Sequence, residues 1–437
     1  MKNVILFVFD SMRGDFFTKS KIFADLSKTN LYFKNCVCSA PTTFLSMTGI
    51  FTGSYPQKIL SDTKYEMLSE NTGTYIKQLN DLGYDTYCIV PKVVELRGLT
   101  KDFRHVESKN YIDIFLDDDF EHYLIERINK MRTSKPFFLY VHLMNLHNPL
   151  MLHKRFDSSE YGFNYYEKML SQINYHFTNI VKELDDDLLV ITADHGSDKA
   201  DYDDDLDKAN NQVVKTSDFT ELDTKGKPVN MKQSVFNLQR LLSKGKQSFS
   251  NMEKKFKINK IKNLSVDGKT KRLLINSIMN YQTLYDEQVC VPLLFANSGI
   301  SRIVDYQVRT IDVFPTIFSL LNLSFENIGG VNLLGIQNSL PARIETNIKE
   351  RSSHTSNVIG LRTEKYKYIR DREDKNAHLE LYNLLDDPNE TKNIAEENPQ
   401  LIAEFESTLQ DFNLTVKNKP ARDEKEVKEL LKKLGYV

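Results

Sequence analysis

A chain of 437 residues exceeds what one hydrophobic core ordinarily fills, so one large domain with a smaller one beside it is expected. Its 58 Lys and Arg balance 60 Asp and Glu, and the net charge of -2 excludes a global electrostatic pull toward nucleic acid or an anionic membrane. Any polyanion binding must then be local.

From the N-terminus, Met1 to Asp10 hold an apolar run too short for a signal peptide or a membrane span, closed by an acid. The run reads as a buried strand, and the expected location is cytoplasmic. Cys36, Cys38, Cys88 and Cys290 are scattered, and are expected as reduced, small buried hydrophobes. Short apolar runs follow one another at 4–9, 86–90, 137–143, 188–192 and 292–296, separated by helical spacing such as 74–82 and 165–184. This alternation predicts an α/β fold, a doubly wound and largely parallel sheet with helices on both faces. In such sheets ligands bind at the carboxyl ends of the strands, which is where Asp10, His142, Asp194 and His195 fall. The stretch 197–281 breaks the rhythm with an acidic run, Asp201 and Asp203 to Asp207, and then a lysine-rich one; it reads as an insertion. The lysine-rich part is either a solvated helical face or a local polyanion contact. From about Arg343 the chain becomes charged and tyrosine-rich, with strand-like stretches at 362–370 and 379–384 and a final helix at 399–412. The expected division is a catalytic domain over 1–340 and a smaller α+β subdomain over 341–437.

Two carboxylates and an imidazole, Asp10, Asp194 and His195, suit a divalent cation. Taken alone, Asp194-His195-Gly196 is equally a loop with a capping Asp. The segment from Ser39 to Gly49 carries five hydroxyls, and a helix starting there would aim free backbone N–H groups at an anion such as phosphate or sulfate.

Placed together, these residues resemble the alkaline phosphatase superfamily, in its sulfatase-like branch. The resemblance runs through Val8-Phe9-Asp10-Ser11-Met12-Arg13-Gly14-Asp15, then Ala40-Pro41-Thr42-Thr43-Phe44-Leu45-Ser46 leading into Thr52-Gly53-Ser54-Tyr55-Pro56. It continues through Phe138 to His142 with His147 and Pro149, Thr192-Ala193-Asp194-His195-Gly196, Tyr285-Asp286-Glu287, and the C-terminal Arg362 to Tyr368 and Glu380 to Asn393. Counting back from Thr52-Gly53-Ser54-Tyr55-Pro56 puts Thr43 at the family's nucleophile position; anchoring on Thr48-Gly49 instead gives Ser39. The Tyr-Pro that follows favours Thr43. Sulfatases carry a Cys or Ser there, followed by Pro and Arg and oxidised to formylglycine; that pattern is absent, and threonine does not form the aldehyde.

The resemblance implies a metal site of Asp10, Thr43, Asp194 and His195, holding one divalent ion: zinc, manganese, calcium or magnesium. A second site would need a further histidine, and none occurs between Gly196 and Tyr285. His142 and His147 are the implied catalytic partners of Thr43, or else structural histidines at a strand end. Arg13 and Lys367 are the candidate substrate-binding residues, with a partner of Asp15 and a surface lysine as their plainer roles. The expected activity is hydrolysis or transfer of a phosphate ester or phosphodiester, on a small-molecule, glycan-linked or lipid-linked substrate. The alternatives are a sulfuric ester hydrolase, and a non-catalytic polyanion or glycan-binding protein on the same fold. Oligomeric state stays open.

Overall fold

The computed structural model describes residues 1–56, 67–132, 135–147, 150–184, 186–198, 258–259, 261–263, 266–279, 282–346 and 357–411. Asp201, Asp203 to Asp207, the lysines from Lys225 to Lys260, Pro149 and the lysine-rich tail lie outside the described residues.

Strand β1 (Val4–Phe9) is buried along its whole length. It runs parallel to β5 (Phe137–Leu143) on one side and to β6 (Leu188–Thr192) on the other. Helices cover both faces. On one, Phe7 and Phe9 meet Phe177 of the helix Tyr165–Lys182 edge-on, with ring centroids 5.0 and 5.3 Å apart. On the other, Phe51 of the helix Thr43–Thr52 meets Tyr140 at 5.3 Å. A strand with no solvent side needs no alternation, which is why β1 reads as an unbroken apolar run.

Among the described residues the main sheet has nine strands, ordered β4 (His105–Lys109), β3 (Asp85–Pro91), β5, β1, β6, β7 (Cys290–Ala296), β2 (Leu31–Val37) and β8 (Arg302–Val304), with β9 (Val308–Arg309) also on β2. Only β7 opposes its neighbours; every other pairing in this sheet is parallel. The expected doubly wound α/β architecture is therefore present. Register places the site. Phe9 lies opposite Leu143, and Val8 lies opposite both His142 and Thr192, so three strands end level with one another.

A second, antiparallel sheet follows the order β10 (Ala342–Glu345), β11 (Val358–Arg362), β12 (Tyr366–Asp371), β13 (Glu380–Asn383). The stretch 362–370, read from sequence as strand, is divided by a turn closed by Thr363 N–H on the Tyr366 carbonyl at 2.8 Å. The helix Pro399–Asp411 covers this sheet, stacking Phe405 on Tyr368 at 5.8 Å. From the expected insertion, the helix Gly268–Met279 is described, seated against the turn that carries Asn389 and Glu390. The four cysteines are free thiols, three buried and Cys290 partly so. Among the described residues no helix is long and apolar enough to cross a membrane.

Candidate active site

Asp10 is the first residue beyond β1, and its N–H still reaches the Leu143 carbonyl at 2.9 Å, extending the ladder by one bond. The chain then turns sharply. Ser11 adopts φ 65°, a left-handed conformation unusual for a residue with a side chain, and held strain of this kind clusters at functional sites. The turn is pinned by Tyr166, whose hydroxyl donates to the Ser11 carbonyl at 2.9 Å and accepts from Arg13 N–H at 3.0 Å. It lets Ser11 serve both carboxylates, with Oγ donating to Asp10 Oδ1 at 2.7 Å and N–H to Asp194 Oδ1 at 3.2 Å.

Thr43 opens its helix. Thr42 precedes it in extended conformation and makes no side-chain capping bond, so the first-turn N–H groups stay aimed outward. The Thr43 hydroxyl is half-buried and donates to Asp10 Oδ2 at 3.1 Å. Ser39, the rival position, turns the other way: its Oγ lies 3.5 Å from the Leu45 carbonyl, and it packs against Gly49.

Asp194 and His195 follow β6. Asp194 Oδ1 accepts from the His195 N–H at 2.8 Å, while Oδ2 is buried with no hydrogen-bond partner. His195 Nδ1 lies 2.8 Å from the Gly196 carbonyl. A carbonyl only accepts, so Nδ1 carries the proton and Nε2 is directed at the carboxylates, 3.5 Å from Asp194 Oδ2 and 4.0 Å from Asp10 Oδ1. The ligand atoms of Asp10, Asp194 and His195 all lie within 4.8 Å of one another.

Burial alone would push the Asp10 carboxyl up, but the His147 charge, the bond from His142 and the His195 charge outweigh it and hold Asp10 well below the usual carboxylate range. Asp194 shifts the other way, raised by burial and then by the Asp10 charge. Burial would lower His195, yet Asp194 and Asp10 together raise it. Two buried carboxylates, one orphaned oxygen and an imidazole nitrogen pointed at both make a donor set that fits a divalent cation.

His142 is fully buried on β5, with Nδ1 2.6 Å from the Tyr140 hydroxyl and Nε2 3.2 Å from Asp10 Oδ2. His147 lies beyond the strand end, half-buried, with Nδ1 3.2 Å from the Tyr111 hydroxyl. Arg13 clasps Asp15 through two bonds of 2.9 and 2.7 Å and reaches the Ser197 carbonyl at 3.5 Å. Lys367 is completely buried, and its ammonium pairs with Asp286 at 2.5 Å and Glu390 at 2.6 Å rather than with the Asp10 group. Sequence reasoning passed over Tyr140. Its i, i+2 relation to His142 on a strand, which puts both side chains on one face, was the available signal.

The family model described as Sulfatase matches residues 2–323, well over half of the chain. No curated protein sequence matches this chain directly. Among solved structures, a protein in complex with its substrate D-glucosamine-2-N,6-O-disulfate is 13% identical, covers 94% of this chain and 98% of its own, and has a TM-score of 0.63. The phosphonate monoester hydrolase of Agrobacterium radiobacter is 14% identical over 94% of this chain and 95% of its own, with a TM-score of 0.61. The yidJ protein of Bacteroides fragilis is 16% identical over 94% and 95%, with a TM-score of 0.64. At such identities the likeness speaks for the fold, and the family match speaks for the rest: the chain belongs to the sulfatase family and is an ester hydrolase.

Proposed function

We infer that the chain acts on phosphate esters or phosphodiesters, as a metal-dependent hydrolase or transferase with Thr43 as its nucleophile. The observation that carries this reading is the half-buried Thr43 hydroxyl, 3.1 Å from Asp10 at the opening of an uncapped helix. Helix-terminal N–H groups there suit a tetrahedral anion. Threonine gives no formylglycine, so the attacking atom is the threonine oxygen itself. The fold likeness to a phosphonate monoester hydrolase is in keeping with phosphorus chemistry.

A divalent ion held by Asp10, Asp194 and His195 would supply Lewis acidity toward the transferring group. Thr43 Oγ forms a bond to phosphorus as its proton passes to Asp194, the carboxylate that burial and the Asp10 charge raise. The phosphorus–oxygen bond to the leaving alcohol breaks, and His147 gives that alcohol its proton. A water deprotonated in turn by His147 splits the threonyl ester, and the carboxyl returns its proton to Thr43 Oγ; an acceptor alcohol in place of the water makes the reaction a transfer. The second reading, sulfate ester hydrolysis, draws on the family and on the relative solved with a disulfated glucosamine.

A panel of aryl phosphate, phosphodiester and aryl sulfate esters tests the reading, with Thr43→Ala beside the wild type. The phosphorus esters are expected to turn over faster. Thr43→Ala should lose on the order of a thousandfold in turnover while still binding metal. Wild-type rates in the variant, or a preference for sulfate, would overturn it.

A further inference from the structure

Gly196 is the link between His195 and a part of the molecule remote in sequence. Its carbonyl accepts from His195 Nδ1 at 2.8 Å, and its N–H donates to the Gln288 carbonyl at 2.9 Å. A Cβ on Gly196 would collide with the Glu287 carbonyl, so backbone lies directly on backbone. Gln288 and Glu287 belong to a four-residue helix, Asp286–Val289, too short to hold its own shape.

Charges from four other segments hold it. Glu390, in the turn after β13, accepts from the Asp286 N–H at 2.8 Å and so caps the helix. Arg272, from the helix Gly268–Met279, forks onto both Glu287 oxygens at 3.0 and 3.1 Å and onto the carbonyls of Asn389 and Glu390 at 2.9 and 2.7 Å. Arg362, at the end of β11, forks onto Asp286 at 2.8 and 2.7 Å. Lys367 on β12 joins Asp286 to Glu390. Three cations thus balance three anions, and Glu287, Glu390, Lys367 and Arg362 are all buried. Buried pairs of this kind contribute little net stability, and their best-attested use is to fix one arrangement against others.

We propose that Arg272, Arg362, Lys367 and Glu390 are positioning residues for His195, acting through Glu287, Gln288 and Gly196 to fix its ring orientation and the proton on Nδ1. The proposal rests on the reading of Asp10, Asp194 and His195 as metal ligands. It gives the C-terminal subdomain a part in the metal site without contributing a ligand.

The test uses the full chain with Arg272→Lys and Glu390→Gln. Glu406→Gln serves as control, because it breaks the Arg370 pair in the same subdomain with no link to Gly196. Mn²⁺ affinity is measured by calorimetry, backbone hydrogen exchange over 194–198 by mass spectrometry, and the His195 tautomer by ¹⁵N spectra of the metal-free chain. Arg272→Lys and Glu390→Gln are expected to weaken Mn²⁺ binding about tenfold or more, speed exchange at Gly196 and mix the tautomers. Glu406→Gln should lower only the melting temperature. Wild-type affinity, exchange and tautomer in folded Arg272→Lys and Glu390→Gln would show the cluster to be purely structural and overturn the proposal. Wild-type protein that binds no Mn²⁺ would instead reject the metal reading, and exchange and tautomer would still decide on the brace. If Glu390→Gln does not fold, Arg272→Lys, which keeps the charge, carries the decision alone.

Discussion

His142 and His147 leave the same strand end into different surroundings. A phenol beside an imidazole donates, so Tyr140 makes Nδ1 of His142 the acceptor and directs the Nε2 proton at Asp10. Burial shields the Tyr140 hydroxyl, as do the charges of Asp194 and Asp10, and its pKa lies well above the ordinary phenol value, so it stays a donor. With both nitrogens engaged and no exposure, His142 holds the Asp10 carboxylate, while His147 is half-buried and is the histidine to which the proposed mechanism gives the leaving group. His147→Asn should therefore slow alkyl phosphate esters on the order of a hundredfold or more, and nitrophenyl esters, which leave without a proton, by less than about tenfold. Rates across a series of leaving-group pKa values check this; a uniform loss would assign His147 to binding. The sequence alone made Asp10, Asp194 and His195 legible as a group, because polar residues at the ends of apolar runs stand out, whereas Thr43 was singled out from Ser39 only by the family resemblance. It did not separate the two histidines, since Tyr140 and Tyr111 decide their surroundings and only the fold brings Tyr111 near.

The strands at 4–9, 137–143 and 188–192 were readable to the residue because each is buried on both faces and bounded by polar chain. Strand β2 escaped notice for a physical reason. Lys34 and Asn35 interrupt its apolar run where the pairing with β7 shifts register between Phe33 and Cys36, and those two side chains face solvent. Edge strand β4, His-Val-Glu-Ser-Lys, has no buried face to advertise. The helix Asp118–Met131 carries an electrostatic penalty at its start. Asp117 caps it, accepting from the Phe120 N–H at 2.8 Å, yet burial, and then Asp119 and Asp118 against the offset of that bond, push its carboxyl up to about 6. A folded-state value above the unfolded 3.8 means that the folded chain keeps its proton longer, so stability falls as pH rises from about 4 to about 6 and is level above. Asn caps as well as Asp without the charge. Asp117→Asn should gain on the order of 2 kcal/mol at pH 8 and nothing at pH 4, by urea unfolding at both. An equal gain at both pH values would locate the effect elsewhere.

Across the whole molecule, Asp10 and Asp194 set two buried carboxylates against each other at the sheet's carboxyl edge, and a bound cation relieves that repulsion. Chelator treatment should lower the melting temperature, and Mn²⁺ at a hundred times its Kd should restore about 2.7 kcal/mol. Asp194→Asn should respond to neither, in the same melting experiment; an unchanged response would move the ion to other ligands. The resemblance seen in sequence extended into the C-terminal segment, and there it had no physical reason until Arg362, Lys367 and Glu390 met on the helix beside Gly196. The central strand also sets a schedule for the newborn chain. β1 is made before both of its neighbours, which end at Leu143 and Thr192. At ordinary translation rates the second neighbour arrives roughly ten to forty seconds later. For that interval the apolar run Val4 to Phe9 has no complete place to pair, so chaperone capture or aggregation competes with folding until β6 has been made.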